Sequence, residues 1–381
     1  MKSLNPENPV QDKQTMSEWK KYKLGEIAEF SQGIQVDLND QKNQPFENSV
    51  RFIRIVDFTK GTENEVRYIS NPGQRYLVQS DDLVMIRYGS QTAGKIARGF
   101  NGAIANNTFK ITLNEAIAIK SFVFYYLSQN SVFNFFHYSQ ASSTMPAITF
   151  DMIGSLEIDL PSLPEQTAIA EVLSSLDDKI DLLHRQNKTL EQLSETLFRQ
   201  WFVEENKILK SLGEIARITT GKGLKRNEFI ENGTYPILGA NGEIGRSDRF
   251  LTDERIIITG RVGTLGEVKI SDDKVWISDN VLIIKPNENI FFYPIYFTLK
   301  KFDFENINAG STQPLVTQTD LKNIGIYFGI PKKLEEFETF CNNLFQKIKT
   351  NTQQIRTLTQ LRDSLLPKLM SGEVRLNYDL K

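Results

Sequence analysis

Two long stretches of the chain carry apolar residues at alternating steps of four and three. The first runs from Ile169 to Leu197 and the second from Leu344 to Leu369. This spacing is typical of a coiled-coil seam, in which a narrow apolar stripe packs against a partner helix. The alternative is an amphipathic helix packed on its own domain. Roughly 35 residues at about 1.5 Å each predict helices of roughly 50 Å, and Pro367 should kink or end the second helix.

Each apolar stripe contains one asparagine, Asn187 in the first and Asn351 in the second. If the two face each other in antiparallel helices, facing residue numbers sum to 187 + 351 = 538, and Leu183 meets Ile355. A buried Asn pair fixes the register of a coiled coil at some cost in stability. The predicted seam comprises Leu176, Ile180, Leu183, Asn187, Leu190, Ile348, Asn351, Ile355 and Leu358.

The segments outside these helices are rich in β-branched and aromatic residues separated by Gly, Asn and Asp. This pattern is typical of short strands joined by turns. We predict strands over residues 50–58, 82–87, 104–112, 255–259 and 275–284, with short helices over 120–129 and 294–301.

The chain also repeats itself. Leu24–Ala28, with the sequence LGEIA, recurs as Leu212–Ala216, an offset of 212 − 24 = 188. Further matches keep the same order: Arg87-Tyr88-Gly89-Ser90 with Arg261-Val262-Gly263-Thr264, Asn106-Asn107 with Asp279-Asn280, and Ser143-Thr144-Met145-Pro146 with Ser311-Thr312-Gln313-Pro314. Repeated matches in conserved order indicate two related units whose loops have diverged.

The predicted fold class is therefore α+β, with two mixed α/β domains separated by two long antiparallel coiled-coil helices and related by a pseudo-twofold repeat. The predicted boundaries are a mobile N-terminal arm over 1–18, a first domain over 19–162, a first spacer helix over 163–206, a second domain over 207–331, a second spacer helix over 332–370 and a C-terminal tail over 371–381.

Composition removes several classes of protein. The chain has 381 residues, a formal net charge of −2, one cysteine and two histidines. A single cysteine excludes an intrachain disulfide and favours a reducing, cytoplasmic location. Two histidines exclude a His-rich metal site. No apolar run approaches the roughly 18 residues of a membrane helix, and the polar N-terminus does not resemble a secretory signal.

The motifs of nucleotide-dependent enzymes are absent or incomplete. No G-x-G-x-x-G stands between a predicted strand and helix, so nothing indicates a dinucleotide pocket. Gly89–Lys95 fits the first seven positions of a phosphate-binding P-loop, but Ile96 stands where Ser or Thr would bind magnesium. We favour a glycine turn between two strands.

What remains is a set of polar side chains near predicted loop tips in both units. Arg, Lys, Asn and Gln read base edges, whereas Ser, Thr and Lys commonly contact phosphates. Any single one of these residues is most simply a solvated loop residue, so the prediction concerns the groups. The candidate DNA-binding residues are Gln32, Arg51, Arg54, Arg87, Tyr88, Ser90, Gln91, Thr92, Lys95, Lys222, Lys225, Arg226, Asn241, Arg246, Arg261, Thr264, Ser311, Thr312 and Gln313.

The ordered, duplicated motifs resemble the specificity subunit of Type I restriction–modification systems, from Trp19 to Leu376. The segments that carry the resemblance are the two LGEIA starts, the Gly89 and Gly263 turns, the Ser-Thr-x-Pro segments, 160–166 before the first helix and 365–373 near the end. The second helix entry, residues 330–336, lacks the second Pro and the Gln of the first.

The resemblance implies two target-recognition domains, each reading one half of a bipartite, asymmetric site on double-stranded DNA. It implies helices that set the spacing and dock two methyltransferase subunits, which assemble with two restriction subunits. It implies no catalytic residue, metal or cofactor on this chain, with S-adenosylmethionine, ATP and Mg on the partner subunits, and no membrane association.

Two other readings stay open at this point. One is a coiled-coil scaffold whose β-rich domains bind proteins, which a pull-down with a methyltransferase subunit and DNA-binding measurements would distinguish. The other is a self-sufficient nuclease or NTPase, which would show ATP hydrolysis or DNA cleavage lost in Lys95→Ala.

Overall fold

The computed structural model describes residues 18–59, 66–89, 91–138, 147–204, 208–262, 266–304 and 315–376. It divides into two units. The first comprises Met1–Asp181 with Arg356–Lys381, and the second comprises Leu182–Ile355. Each unit therefore combines one β-rich domain with one segment of each long helix.

The first unit builds its domain from three sheets, among the residues described. Their strand orders are β1-β10, β2-β9-β6-β7 and β4-β3-β8-β5, and all pairs are antiparallel except β3 with β8. The elements are β1 Lys20–Lys23, α1 Leu24–Ile27, β2 Ala28–Gln32, β3 Ser49–Ile53, α2 Ile55–Thr59, β4 Arg67–Ser70, β5 Leu77–Val78, β6 Leu83–Ile86, β7 Ile96–Ala97, β8 Gly102–Ile104, β9 Thr108–Leu113, α3 Lys120–Leu127, α4 Asn130–Tyr138, α5 Phe150–Gly154 and β10 Glu157–Leu160.

The second unit follows helix α6, Leu163–Phe198, and the π-helical turn Arg199–Glu204. Its described sheets have the orders β11-β19, β12-β18-β15-β16 and β14-β13-β17. The elements are β11 Ile208–Ser211, α7 Leu212–Ile215, β12 Ala216–Thr220, β13 Tyr235–Gly239, β14 Gly242–Ser247, β15 Ile256–Gly260, β16 Val268–Ser271, β17 Trp276–Ile277, β18 Val281–Pro286, α8 Phe292–Lys301, α9 Gln318–Lys322, β19 Gly325–Phe328 and α10 Pro331–Met370.

The two units repeat one topology, which confirms the duplication predicted from the sequence. Sheet β2-β9-β6-β7 has its counterpart in β12-β18-β15-β16. Gly33 and Gly221 occupy equivalent turns, with their amides donating to Thr108 O at 3.1 Å and Val281 O at 3.0 Å. A Cβ would lie 2.3 Å from the Ala105 carbonyl oxygen at Gly33, and 2.2 Å from the Ser278 carbonyl oxygen at Gly221. Only glycine allows this approach of two backbone segments.

Each domain shares its hydrophobic core with the helix segments of its own unit. In the first unit, Phe122 of α3 belongs to the same buried cluster as Leu173 of α6 and Leu369 of α10. In the second unit, Phe297 of α8 stacks on Phe198 of α6 with ring centroids 5.6 Å apart. Burial of one such large apolar side chain contributes about 1.5–3 kcal/mol, so these contacts hold each domain on its helices.

In the first unit, polar bonds also connect the domain to the two helix segments. The Tyr125 hydroxyl donates to Asp177 at 2.7 Å, and the other Asp177 oxygen accepts from Arg362 at 2.8 Å. Near the start of α6, Glu165 lies 3.7 Å from Arg375. The start of α6 thus lies near the residues that follow α10, and a later part of α6 lies near an earlier part of α10. The two helix segments therefore run antiparallel within this unit.

In the second unit, the two asparagines of the predicted seam are hydrogen-bonded. Asn351 Nδ2 donates to Asn187 Oδ1 and to Gln186 Oε1, both at 2.8 Å, and Asn351 is fully buried. Further along α6, the Phe198 ring lies 6.1 Å from the ring of Phe337, which comes earlier in α10. The segments of α6 and α10 therefore run antiparallel in this unit as well. The other pairings of the predicted seam stay predictions.

The exposed faces of α6 and α10 are strongly polar. All the predicted seam positions are buried or half-buried, whereas most residues between them are exposed. No helix within the described ranges is both long and apolar enough to span a membrane.

The predicted strand over 50–58 is wrong in its second half, because β3 ends at Ile53 and a helical turn follows. The side chain of Asp57 accepts from the Arg54 amide at 2.8 Å and from Arg51 at 3.1 Å. An Asp that satisfies backbone and guanidinium donors in this way favours a turn over continued pairing in the sheet.

The predicted strands over 104–112 and 275–284 are each interrupted by a tight turn. Thr108 donates to Ala105 O from its amide at 2.9 Å, and Val281 donates likewise to Ser278 O at 3.1 Å. These turns separate β8 from β9 and β17 from β18. The apolar alternation hid both breaks, because the strands on each side are buried.

Pro367 does not end the second long helix, which continues to Met370. A proline inside a helix loses one backbone hydrogen bond, yet Leu366 and Leu369 on either side of it pack against the first core. The helix ends near Gly372, whose φ of +72° suits a glycine that closes a helix.

The described part of the C-terminal segment packs onto the first domain. Val374 and Leu376 contact its core, and the Arg375 guanidinium lies 5.6 Å from the centre of the Trp19 ring. The predicted arm over 1–18 lies outside the described residues except for Glu18.

The asparagine contact makes one prediction about stability. Replacing Asn187 and Asn351 together by leucine removes two amides from the helix contact and extends its apolar stripe, so we expect a higher melting temperature. Calorimetric unfolding measures this. Asn351→Ala is the matched control, and it should lower the melting temperature because it leaves a cavity.

A second prediction concerns acid stability. Burial opposes ionisation of Asp82, but hydrogen bonds from Lys110 and the Gln79 amide outweigh it, so the pKa of Asp82 lies below its ordinary value of 3.8. The ionised carboxylate therefore stabilises the fold above its unfolded pKa, and the effect is lost as pH falls through the lower folded pKa. Asp82→Asn should lower the unfolding free energy by about 1–3 kcal/mol at pH 7.

The difference between the wild type and Asp82→Asn should vanish in strong acid. Denaturant unfolding at a series of pH values measures it. A difference that stayed constant from neutral pH to pH 2 would contradict the role given to the Asp82 charge.

Candidate nucleic-acid interface

In the first unit, the turn between β8 and β9 contacts the segment that follows β2 and the residue that follows β6. The Asn106 amide donates to Ile34 O at 2.9 Å. The Gln32 side chain donates to Asn106 O at 3.0 Å, and the Asn106 side chain donates to Gln35 at 2.9 Å. Two segments that are distant in sequence thus present amide side chains side by side.

Arg87 joins this turn from the end of β6. Its amide donates to Asn107 O at 2.8 Å, and its carbonyl accepts from the Ile148 amide at 2.9 Å. Its guanidinium lies 5.1 Å from the centre of the Tyr88 ring and 5.8 Å from that of Phe150. Gln32, Arg87 and Tyr88, which the sequence selected separately, therefore lie around one turn.

The loop from Arg87 to Lys95 is a turn between two antiparallel strands, β6 and β7. The Gly94 amide donates to Ile86 O at 2.8 Å, and the Thr92 hydroxyl donates to Tyr88 O at 3.1 Å. A strand follows where a P-loop needs a helix, so the preferred reading of a glycine turn is confirmed. Thr92 is engaged within the turn, Gln91 and Lys95 are exposed, and Ser90 lies outside the described residues.

The second unit forms the same arrangement around the turn between β17 and β18. The Lys222 amide donates to Ile277 O at 2.9 Å, and the Trp276 indole donates to Lys222 O at 2.7 Å. The Arg261 amide donates to Asn280 O at 2.9 Å, as Arg87 does to Asn107.

Several cations of the second unit are open to solvent. Lys222, Lys225 and Arg226 are exposed, as is Asn241 in the turn between β13 and β14. Long cationic side chains on exposed loops suit contacts with phosphates. Thr264, Ser311, Thr312 and Gln313 lie outside the described residues.

Three of the selected arginines bind within the protein. Arg51 and Arg54 converge on Asp57, whose side chain is 1% exposed, at 3.1 and 3.6 Å. Arg246 donates to Gly233 O at 2.6 Å, to Thr234 O at 2.9 Å and to Glu243 at 2.9 Å. These bonds hold the local fold and leave fewer donors for an outside ligand.

Two residues at the same place in the two units were missed as candidates. Asn106 and Asp279 each precede the asparagine whose carbonyl binds the arginine amide, and Asp279 is exposed. The carboxylate accepts hydrogen bonds, so it suits a base amino group such as cytosine N4 and repels a phosphate. The sequence repeat that matches Asn106-Asn107 with Asp279-Asn280 could have indicated both residues.

A cleft of about 750 Å³ lies elsewhere in the second unit, lined by α6, α8, α10 and β16. Arg255 on its wall bonds Glu338 at 2.8 Å and lies 3.7 Å from the centre of the Phe292 ring. Burial raises the pKa of Glu338. No selected DNA-binding residue lines this cleft. The described residues contain no group of three or more metal-ligating side chains that could hold an ion.

A family model described as the Type I restriction modification DNA specificity domain matches the chain twice, over residues 16–192 and 204–360. The chain belongs to the Type I restriction–modification specificity family.

Named relatives of this specificity family match along most of their length. The HindI specificity subunit of Haemophilus influenzae is 30% identical, with 94% of this chain and 100% of the relative covered. The MjaIX specificity subunit of Methanocaldococcus jannaschii is 26% identical, with 74% and 76% covered. The crystal structure of a Type I S subunit from M. genitalium has the same fold, at a TM-score of 0.61 and 18% identity over 99% of this chain and 100% of that one.

Family membership confirms several predictions from the sequence. The chain is a specificity subunit with a duplicated, mixed α/β fold and a long helix between its two domains. Its function is sequence-specific DNA recognition. It is the non-catalytic component, since the relatives are named as specificity subunits. Which residues of this specificity subunit contact DNA stays a prediction.

The contacts described above predict different effects for the replacement of two cations, Lys222 and Arg246. Lys222→Ala removes an exposed charge and should weaken DNA binding without changing the melting temperature. Arg246→Ala removes three internal hydrogen bonds and should lower the melting temperature, at a cost of about 1–3 kcal/mol. Fluorescence anisotropy and calorimetry on both variants measure these effects. Weaker DNA binding by Arg246→Ala at unchanged stability would contradict the assignment.

Proposed function

We propose that each domain of this specificity subunit reads one half of a bipartite, asymmetric site on double-stranded DNA. The observation that carries the proposal is one loop scaffold, present in both units, with different side chains on it. Gln32, Tyr88 and Asn106 of the first unit correspond to Thr220, Val262 and Asp279 of the second. A shared scaffold gives both domains one mode of approach, and different side chains give each its own half-site.

Covalent duplication makes an asymmetric site possible. Identical subunits in a symmetric dimer read palindromic half-sites, whereas these units differ at equivalent loop positions. The site therefore need not be a palindrome. The chain carries a formal net charge of −2, so we expect weak DNA binding by the isolated chain that falls further as salt rises.

The paired helices are proposed to set the gap between the half-sites and to dock two methyltransferase subunits, which assemble with two restriction subunits. Antiparallel helix segments within each unit support a rigid spacer. Exposed charges on these helices are the proposed partner contacts: Arg185, Arg199, Lys347 and Arg356. S-adenosylmethionine, ATP and Mg are proposed to bind the partner subunits in the cytoplasm, where the complex meets DNA.

Lengthening the helices should change the gap and leave the half-sites alone. Inserting four residues into α6 and four at the facing position of α10 adds slightly more than one turn, or roughly 6 Å. At about 3.4 Å per base pair, the gap should lengthen by one or two base pairs. Long-read mapping of methylated adenines, with the chain coexpressed with its methyltransferase subunit, measures gap and half-sites together.

The control is a complex with four residues of each helix replaced by alanine at exposed positions, which keeps helix length. It should methylate the original sites. An unchanged gap in the lengthened variant would refute the spacer role. Failure of the wild-type complex to methylate any defined sequence would refute DNA recognition itself and favour a protein-binding scaffold.

A further inference from the structure

One arginine stands at the same point of the fold in both units. Arg87 directly follows β6, and Arg261 directly follows β15. The amide of each donates to an asparagine in the neighbouring turn, at 2.8 Å and 2.9 Å. The carbonyl of each accepts from Ile148 or Val316, at 2.9 Å and 3.0 Å. Both backbones are thus held on two sides by equivalent hydrogen bonds.

The two guanidinium groups differ from the structural arginines of the chain. Neither forms an ion pair or a side-chain hydrogen bond with any residue that the structure describes, whereas Arg51 and Arg54 both reach Asp57. The Nε atom is buried without an acceptor in all four arginines, so it does not distinguish them. Arg246, by contrast, has three acceptors within its own hairpin. Arg87 and Arg261 are placed to bind an acceptor from outside the chain.

The side chains beside these arginines have diverged. Tyr88 follows Arg87 and Val262 follows Arg261. The neighbouring turn carries a neutral amide at Asn106 and a carboxylate at Asp279. A side chain that is identical in both units cannot encode the difference between two half-sites. It suits the part of DNA that is the same at both, which is the phosphodiester backbone.

We propose that Arg87 and Arg261 are matching phosphate contacts, one at each half-site, that orient the two recognition domains on DNA without reading sequence. The inference rests on the proposed function. In this arrangement, the neighbouring side chains that differ between the two units, such as Asp279, read base edges. A planar guanidinium binds two phosphate oxygens at once.

The experiment uses the full chain assembled with its methyltransferase subunit, at the site found by methylation mapping. Arg87→Gln and Arg261→Gln keep most of the side-chain length and remove the charge, and Arg87→Lys and Arg261→Lys keep the charge. Asp279→Asn, in the same loop cluster as Arg261, is the comparator. Anisotropy measures affinity over a salt series for the mapped duplex and for duplexes with one half-site base changed, and melting temperatures check folding.

Each Gln variant should weaken binding to all duplexes by the same factor and should reduce the slope of log K against log salt by about 0.9. The Lys variants should keep the wild-type slope. Asp279→Asn should lower affinity for the mapped duplex alone, by roughly five- to 150-fold, as expected for a base contact. The methylated sequence should stay the same in both Gln variants.

Three results would overturn the inference: a Gln variant whose loss is confined to the mapped duplex, a changed methylated sequence, or unchanged affinity and slope. A failure of the proposed function can be distinguished from a failure of this inference, because the wild-type complex is measured first. If it binds the mapped and altered duplexes equally, DNA recognition itself is refuted.

Discussion

The close approach of two backbone segments at Gly33, and again at Gly221, determines where the functional loops lie. Without a side chain, each glycine lets its turn meet the carbonyl groups of a second turn, at 104–105 in one unit and 277–278 in the other. The turn that each glycine approaches also accepts the backbone amide of Arg87 or Arg261. This contact uses backbone atoms alone, so the side chains of the loops can vary without changing it. One scaffold can therefore carry two different sets of side chains.

The sequence predicted the large features of the fold well. Periodicity over about seven to eight turns of helix located α6 and α10, and the LGEIA repeats located the two domains. The periodicity is a local signal, and the repeats need only their order along the chain. The expectation that Pro367 could end α10 is wrong, because the packing that carries the helix past it is not local. Its backbone cost is local, but Leu366 and Leu369 find their partners in the distant first domain.

The candidate site was harder to predict, because residue type indicates what a side chain can bind and not what it already binds. Arg51 and Arg87 look alike in sequence, yet Asp57 neutralises the first and no described carboxylate reaches the second. Arg246 is likewise held by two carbonyl groups that only the folded hairpin provides. Asn106 and Asp279 were missed because a buried strand seemed to continue through them.

The first unit is discontinuous in sequence, whereas the second is one continuous segment, Leu182–Ile355. Leu369 and Met370 belong to the buried core of the first domain, although more than 200 residues separate them from its last strand, β10. During synthesis, the second domain can complete its core before the first. Part of the apolar surface of the first domain therefore stays uncovered until the end of α10 has been synthesised.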